Sequence, residues 1–419
     1  MKSRAVRIHG KNDLRLDEFE LPPLKDDEIL VKIVSDSVCM STYKMAIQGT
    51  EHKRVHADVA EHPAICGHEF AGDIVEVGSK WAGKYEVGAK FTIQPNMQNG
   101  EPWSPGYSYE FCGGDSTYCI LPAELLERGC LLEYSGDAYY KASVTEPMSC
   151  NIGAFHASFH TKPGVYVHDM GIVKGGKLAL IAAAGPMGLG GLTYALHCDH
   201  KPSLIVLSDI SEDRLARARE LFPADEVKDK YGVELHIVNN GEVDDPVEFL
   251  RGFTGGTGFN DVFCYAPVAP VVTLSDAILG NDGCLNFFAG PVDHHFTAPM
   301  NFYNVHYEAT HVIGTSGGNT EDMKESLALT AKGMDPSVMI THVGGLNAAA
   351  ETTLNLPKIP GGKKLIYTHI DMPLTAIEDF RAKAAEDERF GVLADLTEKN
   401  NGLWSPEAEK YLLEHWKQN

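Results

Sequence analysis

Residues 177–196 read KLALIAAAGPMGLGGLTYAL, and this stretch decides the fold. A buried-strand pattern, Lys177 to Ile181, leads into a glycine turn, and a helical pattern follows the turn. A strand, a glycine turn and a helix in that order are typical of a dinucleotide-binding domain, because the helix N-terminus offers unpaired N–H groups to a pyrophosphate. The stretch therefore predicts a nucleotide site at the start of a doubly wound α/β domain.

The turn itself, Ala183 to Gly188, fits the GxGxxG fingerprint with alanine at the first glycine position. Gly185 is predicted to let the backbone approach the pyrophosphate, and Gly188 to let helix and strand pack closely. Pro186 and Met187 lie between them and would begin the helix. A glycine turn in an ordinary α/β domain is the alternative interpretation.

Asp209 supports the nucleotide interpretation, because it ends the next buried strand at the expected spacing of about 20 residues. A carboxylate there accepts hydrogen bonds from the adenosine ribose hydroxyls and would repel a 2′-phosphate. NAD is therefore favoured over NADP. Arg214 lies close enough in sequence to keep NADP possible.

Strand and helix patterns alternate after this motif as far as about residue 330, which predicts a parallel, doubly wound sheet. The further predicted strands are Val233 to Val238, Asp261 to Tyr265, Cys284 to Phe288 and Thr310 to Gly314. The region before about residue 158 instead shows short alternating strands between turns. The tail from Thr375 has apolar residues at helical spacing, which predicts helices packed on another surface, with a solvated charged tail as the alternative.

The composition excludes several classes of protein. The chain has 419 residues with a net charge of −22, which disfavours binding to nucleic acid or to anionic membranes. Its nine cysteines form no CxxC pair, as expected of reduced thiols in the cytoplasm. Charged residues follow MKSRAVRIHG where a secretion signal would be apolar, and no apolar run approaches the length of a membrane helix.

A second set of candidate functional residues lies in the β region: Cys39, His68, Glu69 and Glu146. Each alone has an ordinary structural explanation. Together they offer a thiolate, an imidazole and carboxylates, the set with which proteins hold a catalytic zinc through three ligands and one open position. Their wide separation is typical of a catalytic site, since structural zinc sites usually close through short CxxC loops.

With these residues the chain resembles the zinc-dependent medium-chain dehydrogenase/reductase family, over most of its length. Glu146-Pro147 is similar to the polyol branch, and the string GKKLIYTHI (362–370) is similar to the L-sorbose-1-phosphate reductase group. The other matching landmarks, in chain order, are Cys39 to Thr42, Gly67-His68-Glu69, Gly72, Gly78, Gly113-Gly114, Tyr118 to Pro122, the turn at Gly185 with Asp209, and Met339 to His342.

The resemblance implies a GroES-like catalytic domain over residues 1–158, a Rossmann domain over 159–332, and a return to the catalytic domain with a helical extension over 333–419. It implies one catalytic zinc on Cys39, His68 and Glu146, with Glu69 as an alternating ligand or a neighbouring carboxylate. Ser41 would be the first hydroxyl of a proton relay.

Three departures from the family pattern matter. Thr42 replaces an aspartate that orients the metal site, so another carboxylate must do this or the metal binds more weakly. Lys44 replaces the relay histidine and would either accept a proton or hold a substrate phosphate. The lobe Asn96 to Gly114 carries Cys112 alone, where many relatives have four cysteines, so no structural zinc is expected.

These observations predict a zinc-dependent oxidoreductase that interconverts a polyol, with a phosphorylated one favoured, and its ketose, using NAD(H) or NADP(H). A zinc-free quinone or enone reductase of the same superfamily and a non-catalytic dinucleotide sensor are the alternatives. The resemblance also implies a homodimer or homotetramer, with the strand near Phe287 at the interface.

Overall fold

The computed structural model describes residues 1–97 and 100–418 and forms two units. The first unit is Met1–Glu146 with Ile340–Asn419, and the second is Pro147–Met339. The first boundary between the units lies earlier than predicted, after residue 146 and not after 158. The second lies later than predicted, after residue 339 and not after 332. The helix after Glu146 packs within the second unit, where the Phe155 and Phe263 ring centroids are 4.4 Å apart.

The N-terminal part of the first unit is mostly β, as its alternating sequence predicts. Its strands are β1 (Lys2–Gly10), β2 (Asp13–Glu20), β3 (Ile29–Val38), β4 (Ala64–Ile65), β5 (Phe70–Val77), β6 (Lys90–Ile93), β7 (Tyr118–Leu121) and β8 (Leu131–Tyr134). Its helices are α1 (Met40–Gln48), α2 (Ala123–Glu127), α3 (Tyr139–Ser143) and α4 (Thr145–Ala157), the last of which continues into the second unit.

The second unit alternates strands and helices. Its strands are β9 (Phe159–Lys162), β10 (Val165–Met170), β11 (Lys177–Ile181), β12 (Leu204–Asp209), β13 (Glu234–Asn239), β14 (Phe259–Cys264), β15 (Leu279–Phe287) and β16 (His311–Ile313). Its helices are α5 (Pro186–Ala195), α6 (Glu212–Leu221), α7 (Ala224–Tyr231), α8 (Pro246–Gly252), α9 (Ala269–Ala277), α10 (Phe302–Tyr307) and α11 (Thr320–Ala331).

The chain then returns to the first unit. The returning elements are β17 (Ile340–Gly345), α12 (Ala349–Asn355), β18 (Lys363–Tyr367), β19 (Thr375–Ala376), α13 (Phe380–Lys383), α14 (Arg389–Glu398) and α15 (Pro406–His415). Short 3₁₀ helices lie at Gly49–Glu51, Ser79–Trp81, Pro336–Met339, Leu346–Ala348, Leu356–Lys358 and Ile377–Asp379. None of the helices in the described ranges is long and apolar enough to cross a membrane.

Strand β3 is the centre of the first unit's main sheet. It pairs with β5, β7 and β18 in an eight-stranded sheet whose order is β19-β17-β18-β3-β5-β6-β8, with β7 off this path. The returning strand β18 runs antiparallel to β3, with Lys364 opposite Val38. The last strand residues before Cys39 therefore lie beside a segment that comes more than 300 residues later in the chain.

The second unit contains the predicted doubly wound sheet. Six parallel strands have the order β13-β12-β11-β14-β15-β16, which is the dinucleotide-binding arrangement with β11 at its centre. Strand β15, which ends at Phe287, has β14 and β16 on its two sides. The expected interface strand near Phe287 is therefore an interior strand, and β16 is the edge of this sheet among the described residues.

The C-terminal extension is helical and packed, which confirms the prediction from its apolar spacing. Trp404 is fully buried, and its indole Nε1 donates to the Tyr367 hydroxyl at 2.8 Å. Glu409 of α15 accepts hydrogen bonds from the Tyr139 and Tyr140 backbone N–H groups and from the Tyr367 hydroxyl. Glu409 thus accepts from N–H groups at the α3 N-terminus that have no partner within the helix, although burial raises the pKa of its carboxyl to about 7.

The Glu409→Gln variant is expected to lose about 2 kcal/mol of unfolding free energy, because its amide NH2 would face a backbone N–H and leave a buried donor unpaired. Glu407→Gln changes an exposed residue of the same helix and should have little effect. Urea unfolding followed by tryptophan fluorescence measures this, since all four tryptophans lie in the first unit. Equal stability of the two variants would contradict the assignment.

Candidate metal centre and nucleotide site

The structure brings Cys39, His68 and Glu69 together. One potential ligand atom from each, a sulfur, a ring nitrogen and a carboxylate oxygen, lies within 4.8 Å of the other two. Cys39 directly follows β3, and His68-Glu69 directly precede β5. Because β3 and β5 pair antiparallel, the last residues of β3 and the first residues of β5 lie side by side at the same end of the sheet.

The imidazole of His68 is fixed on both sides. The hydroxyl of Thr42, in α1, lies 3.2 Å from Nδ1 and can accept its proton, which leaves the Nε2 lone pair available to a metal. The sequence predicted that another carboxylate orients this site or that the metal binds more weakly. For His68 the neighbouring group is the hydroxyl of Thr42 itself.

Glu69 is held by a buried lysine that was not predicted from the sequence. The Lys363 Nζ lies 2.5 and 2.6 Å from the two carboxylate oxygens, and Ser37 Oγ also donates to Glu69. Burial alone would lower the pKa of Lys363, but attraction to Glu69 outweighs it and the pKa is raised, so the ammonium form persists. A usable signal was present: two lysines begin a strand whose other residues are apolar, and a buried lysine requires a partner.

Glu146 lies in the first turn of α4 and is 8% exposed. It is not one of the three residues whose ligand atoms lie within 4.8 Å of one another. Burial, followed by repulsion from Glu69, raises the pKa of its carboxyl to about 7. Its role as the third zinc ligand stays a prediction.

Ser41 and Tyr107 form a hydroxyl pair beside these residues. Ser41 Oγ donates to Cys39 Sγ at 3.0 Å and accepts from the Tyr107 hydroxyl at 2.9 Å, and that hydroxyl lies 3.2 Å from His68 Nε2. Tyr107 was not predicted from the sequence. Its loop approaches the His68 segment so closely that a Cβ on Gly106 would lie 2.1 Å from the Gly67 carbonyl oxygen. Gln98 and Asn99 of the same lobe lie outside the described residues.

The nucleotide turn has the predicted construction. Helix α5 begins at Pro186, with Met187 in its first turn and Gly185 as its N-cap. A Cβ on Gly188 would lie 2.1 Å from the Ala183 carbonyl oxygen, so glycine is required for the helix to approach the strand. No heavy atom lies within 4 Å of a Cβ built on Gly185, which leaves room above the helix N-terminus.

Asp209 ends β12 beside this turn and is 6% exposed. Its Oδ2 accepts from the Ala184 N–H at 3.0 Å, and its Oδ1 accepts from Ile210 and Ser211. The carboxylate is thus fixed in place, and each oxygen can still accept from a ribose hydroxyl. Arg214 lies exposed near the start of α6.

Comparison with known proteins decides the family. Residues 25–136 match the alcohol dehydrogenase GroES-like domain, and residues 186–332 match the zinc-binding dehydrogenase model. The chain is 53% identical to the mannitol-1-phosphate 5-dehydrogenase of Aliivibrio fischeri, over 99% of this chain and 98% of that protein. It belongs to the zinc-binding dehydrogenase family. The L-sorbose 1-phosphate reductase of Klebsiella pneumoniae is 45% identical, over 98% of this chain and 97% of that protein.

A solved structure confirms the fold of this zinc-binding dehydrogenase. The 2R,3R-butanediol dehydrogenase from Bacillus subtilis matches with a TM-score of 0.71 at 20% identity, over 87% of this chain and 99% of that chain. The predicted combination of a GroES-like β domain and a Rossmann domain is therefore correct. The family membership makes the protein an oxidoreductase of the zinc type.

The donor set in this zinc-binding dehydrogenase fits zinc. Cys39, His68 and a carboxylate supply the sulfur, nitrogen and oxygen ligands that zinc accepts. Burial raises the pKa of the Cys39 thiol and lowers the pKa of His68. A neutral imidazole is the ligand form, and a divalent cation would stabilise the buried thiolate.

Lys44 lies on α1, three residues after Ser41, so the two side chains share one face of the helix. It is half-buried, and burial lowers the pKa of its ammonium group. A depressed pKa makes a lysine a better proton acceptor.

The Asp209→Ser variant is expected to bind NADH about tenfold more weakly and to narrow the gap to NADPH, because it removes both the ribose acceptor and the repulsion of a 2′-phosphate. Fluorescence titration with each cofactor measures this. Asp213→Ser, an exposed change in α6, is the matched control. A wild-type preference for NADPH would show that the interpretation of Asp209 is wrong.

Proposed function

We propose that the protein interconverts a phosphorylated polyol and its ketose by hydride transfer with a nicotinamide cofactor, NAD(H) in preference to NADP(H). Cys39, His68 and Glu146 would hold the catalytic zinc, with Glu69 as an alternating ligand. The turn at Gly185 to Gly188 and Asp209 would bind the cofactor. Two relatives that match nearly the whole chain are named for polyol or sugar phosphates.

The observation that carries this proposal is the position of the hydroxyl pair. Ser41 and Tyr107 lie against Cys39 and His68, where the oxygen of an alcohol or ketone would bind. A zinc ion there supplies Lewis-acid polarisation of that oxygen. A reductase that works without a metal would have no need of Cys39 and His68 beside these hydroxyl groups.

Proton transfer would use the chain's own groups. In the oxidative direction Ser41 Oγ accepts the proton of the substrate hydroxyl and passes a proton outward along the α1 face. Tyr107 donates to Ser41 and so fixes the direction of its lone pairs. Lys44, on the same helix face, is the next proton acceptor. In the reductive direction the path reverses, and Ser41 delivers the proton to the forming alkoxide.

The Lys44→Met variant is expected to lower kcat by roughly two orders of magnitude, equally for phosphorylated and unphosphorylated ketoses, because it removes a general acid–base group. Bound zinc should be unchanged. Steady-state rates with both kinds of substrate measure this. A selective rise in KM for the ketose phosphate would instead assign Lys44 to phosphate binding.

The test of the function is a panel of polyols and ketoses, with and without phosphate, assayed with NAD(H) and NADP(H) on zinc-loaded protein. Turnover that requires zinc and is fastest on a phosphorylated substrate is the expected result. Turnover of quinones or enones without zinc would favour the zinc-free reductase. Cofactor binding without any turnover would favour the dinucleotide sensor.

We further infer a cytoplasmic homodimer or homotetramer. Among the described residues β16 is the edge of its sheet, and α10 before it exposes Phe302, Tyr303 and Tyr307. The nine cysteines are free thiols, which suits a reducing compartment. Sedimentation equilibrium tests the assembly, and a monomer at micromolar concentration would contradict it.

A further inference from the structure

Arg54 has an unusual environment for a surface arginine. Its guanidinium carbon lies 4.7 Å from the centroid of the Tyr107 ring, and Tyr107 is 1% exposed. A guanidinium stacked on an aromatic face keeps its N–H groups free at the edges, where they can donate to an anion. Within the part of the chain that the structure describes, Arg54 has no carboxylate partner.

Tyr107 connects this arginine to the metal centre. One end of the phenol, its hydroxyl, donates to Ser41 and lies 3.2 Å from His68 Nε2. The ring face carries Arg54. The guanidinium and the groups that surround the reacting oxygen are therefore both neighbours of the same tyrosine side chain.

The surroundings of Arg54 are positively charged, although the protein has a net charge of −22. His52 stacks on the Tyr107 ring with centroids 5.9 Å apart. Burial, followed by repulsion from Arg54, Lys53 and Lys44, lowers the pKa of His52 to about 4. Arg54 and the adjacent Lys53 thus give this loop a local positive charge that attracts anions.

Other arginines of the same unit, unlike Arg54, donate to carboxylates. Arg381 donates to Asp395 and Glu398, and Arg389 donates to Asp387 through several N–H groups. These guanidinium groups already have the bidentate partners that arginine prefers. The N–H groups along the edge of the Arg54 guanidinium could bind such a partner, and no carboxylate among the described residues does so.

We propose that Arg54, stacked on Tyr107, binds the phosphate of the substrate and selects substrates whose phosphate is on the carbon next to the reacting carbon. This inference rests on the proposed function and adds the residue and the position of the phosphate. Arginine recognises phosphate through two parallel, charge-assisted hydrogen bonds. A ketose with its carbonyl at C2 and its phosphate at C1 carries the two groups on adjacent carbons, which suits two sites that share one tyrosine side chain, whereas a phosphate at C6 lies at the far end of the carbon chain.

The test compares Arg54→Gln with Lys53→Gln, which removes the same charge from the adjacent exposed residue. The substrates are one ketohexose without phosphate, its 1-phosphate and its 6-phosphate, all with the carbonyl at C2. We expect Arg54→Gln to lower kcat/KM for the 1-phosphate by about a hundredfold, mainly through KM, a loss typical of a charge-assisted pair. The unphosphorylated ketose should change less than about threefold, and Lys53→Gln should change neither substrate.

A binding measurement supplies a readout without turnover. Inorganic phosphate, titrated calorimetrically into the whole protein, should give a binding heat with wild type and with Lys53→Gln, and none with Arg54→Gln. The Tyr107→Phe variant keeps the ring beneath Arg54 and removes the hydroxyl. It should keep the preference for the 1-phosphate while kcat falls.

Equal losses on the phosphorylated and unphosphorylated ketoses would overturn the proposal, since Arg54 would then act through Tyr107 alone. A larger loss on the 6-phosphate than on the 1-phosphate would overturn the assigned position of the phosphate. Failure of the proposed function looks different: wild type would reduce none of the three ketoses with either cofactor. In that case a phosphate heat lost in Arg54→Gln would still support an anion site at this residue, and an unchanged heat would overturn it.

Discussion

The His68→Ala variant is expected to retain little zinc and to lose nearly all turnover, by roughly three orders of magnitude or more in kcat/KM, because three protein ligands leave no redundancy. Cys39→Ser should behave in the same way, since a hydroxyl is a far weaker zinc ligand than a thiolate. Metal analysis after dialysis, together with initial rates, measures both effects. Cys66→Ala, at a buried cysteine near His68, is the matched control and should keep its zinc.

The third ligand is decided by a pair of variants. Glu146→Ala is expected to lose zinc and turnover, whereas Glu69→Gln should keep part of both. Zinc and turnover retained in Glu146→Ala would move the third ligand to Glu69, whose carboxylate lies in the same close group as Cys39 and His68. Full zinc content in Cys39→Ser would contradict the site itself.

The Lys363→Met variant is expected to lose about 3–5 kcal/mol of unfolding free energy, because it leaves the Glu69 carboxylate buried without its partner. The two side chains are 6% and 1% exposed. Urea unfolding followed by tryptophan fluorescence reports on this unit. Lys2→Met, which breaks the exposed ion pair with Glu18, should change the stability very little.

A double variant separates charge from packing. If Lys363→Met acts by leaving a buried charge, then adding Glu69→Gln should recover much of the lost stability, since both members of the pair are then neutral. Additive losses in the double variant would show that Lys363 stabilises the sheet through its packing in β18 and not through Glu69.

The sequence predicted the nucleotide-binding unit in detail because its signals are local. The strand, the turn at Gly185 to Gly188 and the helix are consecutive, and the close approach at Gly188 follows from that connection. The parallel direction of the six strands also agrees with the prediction. Strands that alternate with helices form parallel sheets, and the connections between them are almost always right-handed. The sequence did not show that the strand near Phe287 is an interior strand, because a single strand pattern does not reveal which strand is the sheet edge. Its place at a subunit interface stays a prediction.

The metal centre was only partly predictable. Residue types alone indicated Cys39, His68 and the two glutamates, since few other groups suit zinc. The sequence left open whether another carboxylate takes the place of the aspartate that Thr42 replaces, and it did not predict Tyr107 or Lys363. These residues act through contacts across the fold, and neither a motif nor a spacing within the chain records such contacts.

By itself, the sequence determined the two kinds of domain, the nucleotide turn with Asp209, and the donor types of the metal centre, because each depends on neighbouring residues or on side-chain chemistry. Tertiary structure alone decided which distant groups meet. The pairing of β18 with β3 places Lys363 beside Glu69, from which it is 294 residues away in sequence. The lobe Asn96 to Gly114 places Tyr107 against Ser41 and beneath Arg54. The physical reason is that local backbone preferences fix strands and turns, whereas the closing of the sheet decides which buried charges and hydroxyl groups must satisfy one another.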